Sequence, residues 1–499
     1  MTQNAIYLCC IATPWVDVAN KLRDENGIVP KYFVHWQDDA EAIKSAGFKD
    51  CHLQTVEDLW HGKGFPADVK IVARDEAVRE RFAVNELIGV KMMDRLDPDG
   101  HTFGFSDRQV FFNSLVGRWI DIIRKHDISL IISPSIPHRV FDYALYVAAK
   151  ICGTKFLMFQ MTSFEKYSFL IEDVETIPSD ILAPAKEGSE GELFPEIQAR
   201  IDRTKGDYAQ ALPTYMKKQA VDRKNFSRRI LKRLAGNPRK YLHPPNSYWV
   251  KRGAPPPIGR MSWPGYYINY ARRWMKLRAL SKTYNARTTS IDHIPKDYIF
   301  VALHYQPEET TCPSAGLYYD QVEMIRLLRE AVPDDIAIVV KEHKTQFHPG
   351  AEGASGRDLR FYDRLSEGSS NLIFVPVDMD PFSLIDKAKL VVTATGTIGW
   401  EAAIRGVPVA IFGRAWYENM PGVTRIKVAG DIGRAMNRSG LNAEQLEQAV
   451  NSYHSRLQHI LIYAEHYKTY ADGSLSVTKS VDAILHGIRT KLRLQTPNG

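Results

Sequence analysis

Two doubly wound α/β domains joined by a basic linker are predicted from three observations. The chain has 499 residues, about three times the usual length of one domain. Strand-like apolar runs alternate with helical stretches in two separate series. Between the series lies a segment where that rhythm stops and cations accumulate. With 44% hydrophobic and 25% charged residues, the composition is that of a chain that buries a core rather than one that stays disordered.

In the first series, Ala5 to Ile11 is a short apolar run of the kind found in a buried parallel strand, and a helix follows over Val16 to Arg23. Pro30 to His35 and Cys51 to Leu53 read as the next strands, with helical connections between them. After a polar gap, Gln109 to His126 spaces Phe111, Leu115, Trp119, Ile122 and Ile123 as one helical face. A strand at Leu130 to Ser133, a helix at Phe141 to Cys152 and a strand at Lys155 to Gln160 complete a domain over residues 1–175. Strands linked through helices run parallel, and ligands of such layers lie beyond the strands' carboxyl ends.

Residues 176–291 form the insertion and linker, with helical charge-rich stretches and a Pro-rich run from His243 to Pro257. From Lys217 to Arg287 there are nineteen Lys or Arg against one acidic residue, Asp222, a charge of +18. The whole chain carries only +7, which leaves −11 for the remainder. Aromatics are interleaved with the cations: Tyr266, Tyr267, Tyr270 and Trp274 stand beside Arg272, Arg273, Lys276 and Arg278. That mixture suits an anionic membrane surface or a lipid-linked acceptor. No nucleic-acid module is visible, so we expect no nucleic acid as partner, and a plain solvated basic face is the bland alternative. No stretch approaches the roughly 18 apolar residues of a membrane span, and no basic leader precedes an apolar run near Met1. Neither secretion nor a membrane span is expected. Five sparse cysteines, Cys9, Cys10, Cys51, Cys152 and Cys312, lack the spacing of a disulfide scaffold or a zinc site, so a reducing compartment and no structural metal are expected.

The second series, a domain over 292–440, has strands at Tyr298 to Leu303, Ile336 to Val340, Leu372 to Val375, Leu390 to Ala394 and Val407 to Phe412. Helices over 441–499 follow and are placed to pack back on the first domain. Strand Leu390 to Ala394 runs into Thr395-Gly396-Thr397-Ile398-Gly399-Trp400-Glu401 and then a helix. A small, glycine-rich turn between strand and helix lets backbone N–H groups approach a phosphate at the helix's positive end. Glu401, a turn into the helix, is of the type that accepts hydrogen bonds from ribose hydroxyls; a tight turn with an exposed Glu explains the same residues. The neighbouring strands end in His304-Tyr305-Gln306-Pro307-Glu308, in Lys341-Glu342-His343 and in Pro376-Val377-Asp378-Met379-Asp380. Imidazoles, a Lys, carboxylates and a Gly/Thr turn on one sheet edge are the groups that bind a nucleotide. Asp380 before Pro381 also reads as a helix N-cap, and Asp378-Met379-Asp380 is adequately explained by that cap, so no metal site is inferred.

These residues, together with Tyr319-Asp320-Gln321, Asp386 and Phe412-Gly413-Arg414-Ala415-Trp416-Tyr417, resemble the capsule polysaccharide synthesis proteins, which include bacterial β-Kdo transferases. The resemblance covers roughly Tyr298 to Ile426. It implies a GT-B type fold, two Rossmann-like domains facing across a cleft, with the donor nucleotide on the second and the acceptor mainly on the first. It also implies a CMP-activated donor sugar of the Kdo kind and a glycan or glycolipid acceptor. The residues ask for no cofactor, and the basic insert with such an acceptor leads us to expect a place on the inner face of the cytoplasmic membrane. Lys344 stands where that family usually has Pro, which predicts a looser loop after His343.

Sugar transfer needs charge stabilisation at the leaving phosphate and a base near the acceptor. For the first we expect Lys341, His343 and the amides of Thr395 to Thr397, with His304, Gln306, Glu308, Glu342, Gly396, Gly399 and Glu401 completing the nucleotide and donor contacts. For the base, His138 and Asp142 are four apart after strand Leu130 to Ser133 and share a helix face; Glu172 and Asp173 are the second choice, and Asp142 as a cap or Arg139 partner is the structural alternative. Two other enzyme classes of similar outline, nucleotide-sugar 2-epimerases and CDP-alcohol phosphotransferases, and a catalytically silent glycan-binding subunit stay open at this point.

Overall fold

The computed structural model describes residues 2–10, 12–96, 104–175, 192–211, 263–307, 310–348, 353–437, 443–467 and 471–495. Most of the basic insertion, and Glu308, lie outside them.

The first lobe begins with β1 (Gln3–Leu8), α1 (Ala12–Asn26), β2 (Ile28–His35) and β3 (His52–Thr55). Helices α2 (Ala83–Met92) and α3 (Phe105–Lys125) lead to β4 (Ile128–Ser133), α4 (Phe141–Cys152), β5 (Lys155–Met161) and β6 (Tyr167–Ile171). Alternation along a doubly covered strand decides where each side chain goes. Ala5 and Tyr7 of β1 pack with Leu22 of α1, whereas Ile6 and Leu8 pack with Trp119 of α3 and Tyr143 of α4. Strands β1 to β5 pair in parallel, as their helical connections require.

A linker pair, α5 (Pro195–Lys205) and α6 (Trp263–Asn285), precedes the second lobe. Its strands are β7 (Tyr298–Ala302), β8 (Ala337–Lys341), β9 (Leu372–Val375), β10 (Leu390–Thr393), β11 (Val409–Ile411) and β12 (Val423–Arg425). All pair in parallel, in the order β12-β11-β10-β7-β8-β9. Helix α7 (Thr397–Ile404) connects β10 to β11. Tyr284 anchors α6 on this lobe: its hydroxyl donates to the Val375 carbonyl at 2.6 Å and accepts the Glu342 N–H at 2.9 Å.

After α8 (Ala443–Gln458) the chain returns to the first lobe, where β13 (Ile462–Tyr463) pairs antiparallel with β6 and α9 (Val477–Leu492) packs on α1. The first sheet therefore has seven strands, in the order β13-β6-β5-β4-β1-β2-β3. Lys166, in the β5–β6 turn, fastens this return through Glu465 at 2.8 Å and Asp472 at 2.5 Å. Strands β6, β12 and β13 were not among the expected elements. No disulfide joins any of the five cysteines.

One apolar cluster runs through both lobes, from Trp119 and Phe164 to Trp400 and Tyr417. Phe164 follows β5 and packs edge-on against Trp400 and against Trp416, which follows β11. Lys91 of α2 lies 5.4 Å over the ring of Tyr319, in the β7 exit. Loops at the carboxyl ends of the two sheets thus meet one another.

Candidate active site

The centre of the second sheet, β10-β7-β8, carries the imidazole, the Thr/Gly turn and the Lys-Glu-His run on adjacent strand ends. His304 Nε2 accepts the Thr395 N–H at 3.0 Å and lies 3.0 Å from Thr393 Oγ1, which in turn accepts the Gly396 N–H. A backbone N–H can only donate, so Nε2 is the lone-pair nitrogen of this ring. The Thr395 amide is consequently occupied. The Thr397 and Ile398 amides open α7, whose N-cap is Gly396, and belong to the first turn, where a helix leaves its N–H groups without intrahelical partners. Thr395 Oγ1 is buried with no hydrogen-bond partner. Tyr417 crosses the turn and donates to the Gly396 carbonyl; a Cβ at Gly399 would lie 2.3 Å from its oxygen, which is why a glycine stands there.

Lys341 ends β8. Burial, then the charge of Lys344, push its pKa down to about 8 against the pull of Asp378, Glu342 and Asp380. His343 Nδ1 accepts the Thr345 N–H at 3.2 Å, so its proton sits on Nε2 and that nitrogen is a donor. The loop that follows is not loose. Residues Lys344–Phe347 form one 3-10 turn, Gln346 donates to the Gly353 carbonyl at 2.7 Å, and Lys344 pairs with Asp378 at 3.2 Å.

Three residues expected to touch the donor are used otherwise. Glu342 is 0% exposed and is held by Arg357 at 3.2 Å, the Tyr362 hydroxyl at 2.9 Å and the His343 N–H at 2.8 Å. Arg357 then donates to the His304 carbonyl at 2.7 Å, so Glu342 braces the His304 backbone through that guanidinium. Gln306 is buried too, its side chain donating to Thr311 Oγ1 at 2.7 Å and its backbone N–H to Gln346 Oε1 at 2.9 Å. Glu401 faces α5, where Arg200 approaches it at 3.4 Å; burial raises its pKa to about 7 although Arg200 and Arg405 oppose this. It is thus a tie between linker and lobe. Asp380 is a cap, accepting the Phe382 N–H at 2.9 Å. Gln321, Arg357 and Tyr362 support the site without having been expected among its residues. Gln321 carried a signal in the Tyr319-Asp320-Gln321 run, and its side chain accepts the His304 N–H at 2.8 Å.

On the first lobe, the β4 exit holds His138 and Asp142. Asp142 accepts the N–H groups of His138 at 3.1 Å, Arg139 at 2.6 Å and Tyr143 at 2.7 Å, and is 2% exposed. The cap alternative is the one this geometry shows, because both oxygens are spent on backbone donors. Asp173 is similarly engaged, with the Tyr146 hydroxyl and with Lys150 at 3.0 Å, and Glu172 pairs weakly with Lys155. His138 differs. Its Nδ1 lies 2.6 Å from the Ile136 carbonyl, an acceptor, so Nδ1 carries the proton and Nε2 the lone pair. Between these residues Val140 adopts φ 69°, ψ −64° in a tight turn closed by Phe141 N–H to Arg139 O at 2.8 Å. A β-branched residue in that conformation is strained. The neighbouring Arg139 reaches the Tyr467 hydroxyl, 2.7 Å away, and lies over the ring of Trp36.

Away from the strand ends, a groove of about 580 Å³ is lined by Arg74, Glu76, Arg79, Glu86, Phe105 and Gln109 among others. None of the residues just described lines it. Among the described residues there is no group of three or more His, Cys, Asp or Glu placed to hold a metal, and no helix long and apolar enough to cross a membrane.

With the geometry in hand, comparison with known proteins decides the family of the second lobe. Residues 296–467 match the model of the capsule polysaccharide biosynthesis proteins. The second lobe carries a capsule polysaccharide biosynthesis domain. No curated protein matches the chain. Among solved structures, the β-Kdo 2,7-transferase KpsC of Thermosulfurimonas dismutans aligns at 12% identity over 80% of this chain and 95% of its own, with a TM-score of 0.30. UDP-GlcNAc 2-epimerase of Methanocaldococcus jannaschii aligns at 11% identity over 90% and 98%, with a TM-score of 0.23. At such scores the arrangement of the two sheets stands on the chain's own geometry. The capsule-synthesis domain contains every strand-end group of the second lobe named above.

Proposed function

We propose that the protein is a glycosyltransferase of capsular polysaccharide assembly, which moves a sugar from a nucleotide donor, CMP-linked and Kdo-like, to a glycan or glycolipid acceptor. One observation carries this reading. The carboxyl edges of the two lobes bear histidines in opposite tautomers, His138 with its lone pair on Nε2 and His343 with its proton there.

The donor phosphate sits at the Thr397 and Ile398 amides beside Lys341, with His304 fixing the turn. His138 takes the proton of the acceptor hydroxyl as that oxygen bonds to the anomeric carbon. His343 donates a hydrogen bond from its Nε2–H to the phosphate oxygen, which departs as the anion as the C–O bond breaks. The scheme uses no cofactor. On the acceptor side, Trp36, Trp60 and Tyr467 around Arg139 offer aromatic faces suited to sugar rings. Helix α6 exposes Ile268, Tyr270, Trp274 and Met275 alongside its cations, which supports an anionic membrane surface, the inner face of the cytoplasmic membrane, as the place where a glycolipid acceptor is met.

The test is incubation with CMP-Kdo and other activated sugars, following nucleotide release and product mass. His343→Ala and His138→Ala are each expected to slow turnover about 10²-fold or more; undiminished transfer by both would end the proposal. An epimerised sugar formed without acceptor would point instead to the epimerase class. Absence of any thermal shift with CMP, CDP, UDP or GDP would favour a silent subunit. Flotation with anionic vesicles at low salt tests the membrane surface, and no binding rejects it.

A further inference from the structure

The Phe412 to Tyr417 run contributes a feature that the scheme above leaves unused. Arg414 follows β11 and Arg425 ends β12, so both stand on the same sheet edge as the Thr/Gly turn after β10. The two segments touch. The Arg414 N–H donates to the Ser314 carbonyl at 2.7 Å, and a Cβ on neighbouring Gly413 would lie 2.6 Å from Thr395 Cγ2.

Arg414 Nη1 holds Glu418 Oε1 at 2.5 Å, but the one carboxylate leaves most of the local donors unmet. Arg414 Nε, Arg425 Nε and Asn419 Nδ2 are buried without a hydrogen-bond partner, as is Glu418 Oε2. No hydrogen bond or ion pair of the Arg425 guanidinium is present among the described residues. Burial and the like charge of Arg414 weaken its hold on its proton, while Glu418 and, across the cleft, Glu175 of the first lobe strengthen it. Native proteins seldom leave buried donors unmade, and two guanidinium groups sharing one carboxylate retain a net positive charge. A planar oxyanion matches both the charge and the fork geometry.

We propose that Arg414, Arg425 and Asn419 form a second oxyanion subsite beside the Thr395–Gly399 turn, which takes a carboxylate or phosphate of the substrate in addition to the phosphate held at the turn. The inference rests on the nucleotide-sugar reading for its location and deepens it, because it requires a substrate with two separated anionic groups. A nucleoside diphosphate supplies the second from its own phosphates, an acid sugar from its carboxylate, and an anionic acceptor from the other partner.

Calorimetric titration of the full chain with inorganic pyrophosphate, CMP, CDP and CMP-N-acetylneuraminate tests it. Arg425→Gln is expected to weaken pyrophosphate binding about tenfold or more, the usual worth of a hydrogen-bonded ion contact, and Asn419→Asp to do the same while keeping both arginines. Thermal melts establish that each variant is folded, and either variant alone suffices. A wild-type preference for CDP over CMP that Arg425→Gln abolishes assigns the second anion to a phosphate. The corresponding preference for the CMP-sugar assigns it to the sugar carboxylate, and equal binding of all three nucleotides with the pyrophosphate loss retained assigns it to the acceptor. Pyrophosphate affinity unchanged in both variants overturns the subsite whatever the nucleotides do. Pyrophosphate loss with no nucleotide bound by the wild type leaves the subsite standing and removes the nucleotide-sugar reading.

Discussion

Lys341 is the residue whose charge depends most on its surroundings at the strand ends. With a pKa of about 8 against an ordinary 10.5, it is a cation below pH 8 and loses its charge as pH rises through that value. Nucleotide affinity is therefore expected to fall as pH climbs from 7 to 9, and Lys341→Met to bind more weakly at pH 7 with a flat profile; a wild-type affinity constant over that range would refute the assignment. Sequence left Asp142 open between base and cap, and placed Glu342 at the donor. Glu342 and Asp142 are carboxylates beside histidines, as donor contacts or bases would be, yet both are bound by backbone N–H groups or buried cations. Sequence gives residue type and spacing but not which backbone donors the local turn aims at a carboxylate. The histidines at 138, 304 and 343 were legible because a short loop after a buried parallel strand keeps them near its edge.

At the scale of elements, parallel strands declared themselves because burial on both faces makes them continuously apolar. The strands that escaped notice are too short to show that signature or fall outside the rhythm: β12 is three half-buried residues, β13 only two residues, and β6, buried throughout, is an antiparallel hairpin partner rather than a β/α repeat. The Thr395–Gly399 turn was readable from its glycines, but its partners were not, since His304 and Tyr417 come from other strands' exits. Gly399→Ala should cost about 1–3 kcal/mol by overpacking, and Tyr417→Phe in the same chain should recover part of it by removing the oxygen that the new methyl meets. Urea melts of the two single variants and the double variant measure this coupling, and strictly additive losses would contradict the close approach.

Across the whole molecule, buried titrating groups set the pH range of stability. His454 accepts the Trp400 N–H at 3.0 Å, has its other nitrogen 2.8 Å from the Val450 carbonyl, and is held neutral by burial with a pKa of about 4; His466 is also lowered to about 4. Groups whose pKa is depressed in the fold give stability that is complete above the unfolded value of 6.5 and is lost as pH falls through 4. Glu401 acts in the opposite sense, its contribution being complete below 4.5 and lost as pH rises through about 7. The melting temperature is thus expected to fall below pH 6, where two histidines outweigh one carboxylate. In Glu401→Gln it should fall more steeply there, since the opposing term is gone. An acid limb identical to that of the wild type would be evidence against the buried carboxylate. Lys166→Ala, which strips Glu465 of its buried partner, should cost about 3 kcal/mol, read as a lower denaturation midpoint.

The antiparallel pairing of Ile462–Tyr463 with β6 also orders events during synthesis. The first lobe keeps an open sheet edge and a bare α1 face until β13 and α9 have emerged from the ribosome. The half translated later has all its strands in hand some forty residues sooner. Maturation of the first lobe therefore waits on the second, and a nascent chain arrested before Ile462 would expose a sticky strand for chaperones to shield.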